Sequence, residues 1–229
     1  MSVDNRLRKI AGMIERGSTV ADIGTDHAYL PVLLVKCKIV SKVFACDVAD
    51  GPLENARRNI ELSGVSGIEL RKGDGINAVS PDEADTFIIA GMGGDLIARI
   101  LDAAEWIKNE KFDFILQPMT AVEDLREWLL QNGFSVEIEQ AVKSQCRIYT
   151  VMKVKYTGVK RDCDPLFYFV GRLSDNLGEN ELVYITRKKR IITKLAQDIK
   201  GVDSQKEKYK LLTVALDGIE KLLEQYNGN

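Results

Sequence analysis

Two carboxylates, a histidine and a tyrosine crowd around one glycine in Thr19-Val-Ala-Asp-Ile-Gly-Thr-Asp-His-Ala-Tyr-Leu-Pro31. Val20, Ala21 and Ile23 read as a short buried strand, and Gly24 stands where a strand must turn into a helix. Such a turn presents free backbone N–H groups to a nucleotide-like ligand. A dinucleotide fingerprint needs three glycines close to a pyrophosphate. Here only Gly24 is present, and Thr25, Asp26, His27, Ala28 and Tyr29 follow it. Asp22 and Asp26 would repel a pyrophosphate and suit a ligand bearing an ammonium and a sulfonium, so the pattern favours S-adenosylmethionine over NAD. A tight turn without any ligand would also explain Gly24 taken alone.

Three further stations carry the same chemistry. Asp47 ends the apolar run Lys42-Val-Phe-Ala-Cys-Asp47, two dozen residues after Gly24. A carboxylate there accepts both ribose hydroxyls of an adenosine, and Val48 lies beside it. Gly73-Asp-Gly75 lets a loop approach a flat ring, with Asp74 placed to accept from an adenine amino group and the Gly75 N–H to donate to a ring nitrogen. Asp-Gly is also an ordinary turn pair. Gly91-Met-Gly-Gly94 reads as a loop almost bare of side chains, with room for a planar substrate and with Met92 as an apolar surface. We take Asp22, Gly24, Thr25, His27, Asp47, Val48, Asp74, Gly75, Gly91 and Met92 as the candidate cofactor contacts.

These stations need parallel strands to line them up. Helical and strand periods alternate along the chain. A helix begins near residues 3–4, and strands fall near 19–23, 42–46, 67–71, 85–90 and 111–117. Helices run near 28–37, 51–63, 94–103 and 121–132, with a short one in 75–80. Gly133 stops the helix before it. Alternation of this kind predicts an α/β fold, a parallel sheet covered on both faces. Phe134–Glu139 and Arg147–Tyr156 alternate apolar and polar residues across a short loop, so they pair antiparallel. An antiparallel last strand on a parallel sheet marks a Rossmann-like class I methyltransferase domain.

Composition sets the remaining bounds. The chain has 229 residues, 45% of them hydrophobic, and a formal net charge of −2. That length buries a sizeable core. With no long apolar run and no cleavable leader, a cytoplasmic protein without a membrane span is expected. Cys37, Cys46, Cys146 and Cys163 lack metal-type spacing and read as reduced thiols; no metal site is expected. The overall charge does not advertise nucleic-acid binding, although it leaves room for a local basic patch.

The strings ADIGTDHAYLPVLL, ACDVADGPLENARRNI, GDGI, IIAGMGGDLI and ILQPM…LREWL, in that order, resemble the bacterial tRNA (adenine-22 N1)-methyltransferase family, often called TrmK. The resemblance implies S-adenosylmethionine as donor, an adenine N1 in the D-loop region of tRNA as acceptor, and a helical, coiled-coil-like C-terminal domain. The chain departs from the family at Met119, where asparagine is usual, and at Val142–Arg147, where the family's acidic turn is replaced by a basic one. A neutral adenine N1 attacks a methyl group without prior deprotonation. Such a site therefore needs positioning and a nearby anion more than a strong base. On this reading Asp26 stabilises the developing positive charge, His27 orients Asp26 or takes the N6 proton, and Tyr29 stacks on the base. Alternatively, Asp26 caps a helix and Tyr29 packs beneath the sheet.

The tail is expected to be an α-helical hairpin. Asp164-Pro165 breaks the preceding sheet, so residues 1–158 are taken as the methyltransferase domain and residues 159–229 as a tRNA-contacting helical domain. Leu182, Ile185, Ile192, Leu195 and Ile199 recur at helical spacing, as do Leu212, Ala215, Ile219, Leu222 and Tyr226. Arg187, Lys188, Lys189, Arg190 and Lys194 crowd five cations into just over two turns. They form either a solvated face or a contact with RNA phosphates. The same residues also suit a methyltransferase acting on another RNA, a small molecule or a protein, or a non-catalytic module that binds S-adenosylmethionine or RNA.

Overall fold

The apolar runs form one seven-stranded sheet in the computed structural model, which describes residues 4–227. The strands are β1 (Thr19–Ile23), β2 (Lys42–Asp47), β3 (Ile68–Lys72), β4 (Thr86–Gly93), β5 (Asp113–Thr120), β6 (Phe134–Ser144) and β7 (Arg147–Tyr156). Their order is β3-β2-β1-β4-β5-β7-β6. β1 to β5 pair in parallel, and β7 runs antiparallel between β5 and β6. The antiparallel strand therefore lies one place in from the edge, and β6 is the edge strand.

Alternate residues send their side chains to opposite faces. Val20, Val43, Ile88 and Ile115 face one core, which they share with Ile10 of α1 (Asn5–Ala11) and with Leu30 and Leu34 of α2 (Tyr29–Lys36). Their neighbours Ala21, Phe44, Phe87, Ile89, Phe114 and Leu116 face the other core. There they meet Ile97 and Leu101 of α4 (Gly94–Asp102) and Leu125 and Leu129 of α5 (Val122–Gln131). α3 (Asp50–Ser63) links β2 to β3 and ends at Gly64 in the left-handed conformation, as a helix stop should. Asp4 caps α1 by accepting from the Arg6 N–H at 2.8 Å; Val3, proposed above as part of that helix start, lies outside the described residues.

The C-terminal part holds more than a hairpin. Asp164 does not simply break the sheet: its Oδ1 accepts from the N–H groups of Leu166 and Phe167, and Pro165 occupies the first turn of α6 (Pro165–Val170). A 3-10 turn, Gly171–Asp175, leads to α7 (Glu179–Ile199) and then α8 (Lys206–Asn227). A third core joins Phe169, Val170 and Leu173 to Ile185, Ile192 and Ala196 of α7 and to Leu212, Ala215 and Ile219 of α8. Ala141 of β6 belongs to the same core, so the helices are seated on the sheet edge. Leu195 and Tyr226, assigned to the apolar stripes by spacing, are exposed; Tyr184 and Ala196 take the buried places. The α7 core face is rotated from the expected stripe because it must cover β6 as well as α8.

Polar ties fasten this seam. Glu181 accepts the Ala141 N–H at 2.7 Å, satisfying a donor on the edge strand. Arg126 and Glu139, both wholly buried, pair at 2.6 Å. Arg126 Nη1 also donates to the Tyr168 carbonyl at 2.9 Å, and Glu139 Oε2 accepts the Arg172 N–H at 3.0 Å. Gly171 passes this pair with φ +61°, and a Cβ there would lie 2.0 Å from Glu139 Oε2. No helix among the described residues is long and apolar enough to cross a membrane.

Candidate active site

The four stations lie at the carboxyl ends of adjacent strands β3, β2, β1 and β4, where open parallel sheets bind ligands. Gly24 adopts φ +77°, and its N–H and that of Thr25 both donate to the Cys46 carbonyl at 2.8 Å, stitching the turn to β2. A Cβ on Gly24 would fall 2.0 Å from Met92 Cε. Met92 thus packs over the glycine turn instead of offering a free surface. The stretch expected to be a bare loop is also more ordered than that: β4 continues through Gly91 and Met92 to Gly93 with two register shifts against β5, and α4 starts at Gly94. Gly91 itself is exposed with φ +78°.

Asp47 and Asp74 stand at the tips of β2 and in the loop after β3. Asp47 Oδ1 accepts the Ala49 N–H at 2.8 Å, which aims the carboxylate and leaves Oδ2 without a partner among the described residues. Val48 is exposed beside it. Asp74 is exposed, and Gly75 opens a short 3-10 turn with φ +58°.

Asp22 is the electrostatic centre of the site. Its carboxyl is buried with no cationic partner among the described residues, and burial raises its pKa to about 6. The Thr25 hydroxyl moderates that rise and the charge of Asp47 adds to it. Thr25 Oγ1 is itself buried and makes no well-formed hydrogen bond. An ammonium group would satisfy both residues, so the pocket fits the amino-acid end of S-adenosylmethionine. Between about pH 4 and 6 the folded protein holds a proton that the unfolded chain has released, so the stability of the ligand-free protein falls as pH rises through this window. The loss is on the order of 2–3 kcal/mol and is complete above pH 6. Asp22→Asn should remove this slope and weaken S-adenosylhomocysteine binding. Thermal melts of both proteins from pH 4.5 to 8 test it, and identical pH profiles would reject the assignment.

The residues proposed for chemistry form an exposed row. Asp26 is 71% exposed, and its Oδ1 lies 3.4 Å from His27 Nε2. His27 stacks on Tyr29, with centroids 5.3 Å apart and an 18° interplanar angle. His27 and Ala28 both have positive φ, and Asn59 steadies this strained pair by donating to the His27 carbonyl at 2.7 Å. Asp26 does not cap α2, because the cap residue is Ala28 with no side-chain bond, and Tyr29 is exposed instead of packing beneath the sheet. Cys46 is buried with its thiol pushed up to about 12 by burial and by Asp22, which removes it as a nucleophile.

Sequence reasoning missed a second wall of the site. Arg6 is held by Asp4 at 2.8 Å and lies over the Tyr149 ring at 5.2 Å. Its Nη1 reaches Gln117 Oε1 and Met119 Sδ, each at 3.4 Å, at the carboxyl end of β5. Asp4 Oδ1 also accepts from Ser144 Oγ at 2.7 Å. The only signal in the sequence was the Asp4–Arg6 pair beside a helix start, which is common on any surface.

Comparisons with known proteins give the family of the fold that carries this site. Residues 3–152 match the family model described as "Methyltransferase domain". The tRNA (adenine(22)-N(1))-methyltransferase of Bacillus subtilis strain 168 is 39% identical over 153 residues, covering 66% of this chain and 64% of that protein. These matches leave the C-terminal helices undecided. The crystal structure of the B. subtilis m1A22 tRNA methyltransferase TrmK decides them: it superposes with a TM-score of 0.82 at 30% identity, covering 96% of this chain and 98% of that one. The chain belongs to the TrmK family. The TrmK of M. capricolum, solved with the cofactor product S-adenosylhomocysteine, is similar over 98% of this chain and 99% of its own, with a TM-score of 0.78 and 26% identity. TrmK relatives thus share α6 to α8 as well as the methyltransferase sheet.

The five-cation run of this TrmK chain is divided by the fold. Lys188 pairs with Glu123 and lies over the Tyr184 ring. Lys189 pairs with Glu220 at 3.0 Å. Arg187, Arg190 and Lys194 are exposed, have no ion pair among the described residues, and share one face of α7 at i, i+3 and i+7 spacing.

Proposed function

We propose that the chain methylates N1 of adenine 22 in tRNA, using S-adenosylmethionine as donor. The observation that carries this reading is the likeness to TrmK through both the sheet and the C-terminal helices. S-adenosylmethionine supplies an electrophilic methyl on its sulfonium. Asp22 and Thr25 would hold the ammonium, Asp47 the ribose hydroxyls, and Asp74 with the Gly75 N–H the adenine ring. The mouth between the Asp26–His27–Tyr29 row and the Arg6–Gln117–Met119 wall would admit the target base. Adenine N1 is engaged in a base pair in duplex RNA, so the base must be unpaired or everted when it enters. Tyr29 would stack on it, Asp26 would face the positive charge that grows on the ring, and His27 would steady Asp26 or accept the N6 proton.

Nucleoside mass spectrometry of unmodified tRNA incubated with protein and donor is the direct test. 1-Methyladenosine should form, and a tRNA lacking adenine at position 22 should stay unmodified. Methylation confined to guanine or to a pyrimidine carbon would overturn the reading.

Residues 159–229 would contact the tRNA backbone through the unpaired face of α7. Replacing Arg187, Arg190 and Lys194 together with alanine should reduce the slope of log affinity against log salt by about 2–3, since each phosphate contact contributes roughly 0.7–0.9. S-adenosylhomocysteine affinity should not change. Replacing Lys188 should instead lower the melting temperature, because it breaks the tie to Glu123. A slope equal to wild type in the triple variant would make this face a solvated one.

A further inference from the structure

A second cationic surface lies on the other side of α1 from the active-site mouth. A cleft of about 540 Å³ opens between α1, β6 and the first turn of α7. Arg8, Lys9 and Lys143 line it together with the amides of Asn5, Gln140 and Asn180. No carboxylate is among its lining residues. Arg8 and Lys143 are exposed, and neither side chain has an ion pair or hydrogen bond among the described residues. Lys9 Nζ donates to Gln140 Oε1 at 3.3 Å, which holds that ammonium against β6.

The acidic groups on the elements packed around the cleft are mostly committed elsewhere. Asp4 is taken by Arg6 and Ser144, Glu181 by the Ala141 N–H, and Glu15 by Lys153 at 2.9 Å. Glu179 is exposed on the turn that carries Asn180 but is not part of the lining. On a chain of net charge −2, three cations without a neutralising carboxylate make a local positive site.

The cleft is joined to the mouth by hydrogen bonds. Asn5 donates to the Lys143 carbonyl at 3.2 Å, and Asp4 links Ser144 to Arg6, whose guanidinium reaches Gln117 and Met119. α1 thus directs Arg6 toward the end of β5 while Asn5, Arg8 and Lys9 line the cleft. Its lining has cations and amides but no aromatic ring on which a base could stack. Unpaired cations flanked by amides suit the phosphate oxygens and ribose hydroxyls of a nucleic-acid backbone.

We propose that this cleft binds the tRNA sugar–phosphate backbone next to the everted nucleotide, as a contact separate from the α7 face. The proposal rests on the tRNA reading above. Because Arg8 and Lys143 carry no side-chain partners, Arg8→Ala/Lys143→Ala should fold normally. Its tRNA affinity should fall about three- to tenfold near 0.15 M salt, and its salt slope should shrink by between 1 and 2. Arg8→Lys/Lys143→Arg should keep both close to wild type, and S-adenosylhomocysteine affinity should be the same in all three proteins. Wild-type affinity and slope in the alanine variant, with wild-type protein still forming 1-methyladenosine, would reject the cleft and leave the proposed function standing. Failure of the wild-type protein to bind or methylate tRNA would reject both.

Discussion

Asp26→Asn is expected to slow 1-methyladenosine formation by up to about 10²-fold, the lower end of the range for removing one preorganised group that stabilises transition-state charge. S-adenosylhomocysteine binding should stay within about twofold of wild type, since the cofactor pocket is built around Asp22 and Asp47. The separation is clean because the Asp26 side chain is 71% exposed and its one ion-pair partner among the described residues is His27, so the fold does not lean on it. His27→Asn is the companion variant. Asparagine tolerates the positive φ at this position, so the loop keeps its course while the imidazole is lost. If His27 merely steadies Asp26, that variant should lose less activity than Asp26→Asn at every pH. Single-turnover rates at saturating donor decide the matter, and a full rate in Asp26→Asn would remove the carboxylate from the chemistry.

Arg126→Ala is expected to cost about 3–5 kcal/mol of stability, because it leaves the Glu139 carboxylate buried without its counter-charge. The loss should be accompanied by looser C-terminal helices, since the pair also holds the Tyr168 carbonyl and the Arg172 N–H. Hydrogen exchange should rise first in residues 165–175. Arg126→Met with Glu139→Leu should recover most of the loss, as burying two apolar chains avoids the uncompensated charge. Urea unfolding of the three proteins measures this. A double variant as unstable as the single one would mean that shape and the two backbone bonds matter more than charge at this seam.

Several elements were legible because local rules and the tertiary structure agree. β1 falls where the short apolar run with Val20, Ala21 and Ile23 precedes Gly24, and α3 starts and stops within about a residue of its signals. The short connection before Arg147 required an antiparallel pair, and that pair is present. Other features were hidden. Gly91 to Gly93 lacks side chains and so looks like a loop, yet pairing with β5 makes it a strand. Asp164-Pro165 signals a break and a helix start equally well, and only packing of Phe169 and Val170 against α7 and α8 selects the helix. Lys188 and Lys189 are indistinguishable from Arg187 and Arg190 in sequence; their partners Glu123 and Glu220 are distant along the chain.

The sequence by itself determined the α/β alternation, the glycine turn after β1 and the position of Asp22, Asp26, His27 and Asp47 at the ends of β1 and β2. Each of these rests on short-range physics: the period of apolar residues, a glycine turn, and an acid at a strand end. Only the tertiary structure decided that Asp22 is buried without a cation, that Arg6 reaches Gln117 and Met119 at the end of β5, and that three of the five cations on α7 have no ion pair, each among the described residues. Those properties depend on desolvation and on charges brought together from distant parts of the chain, which no local pattern records.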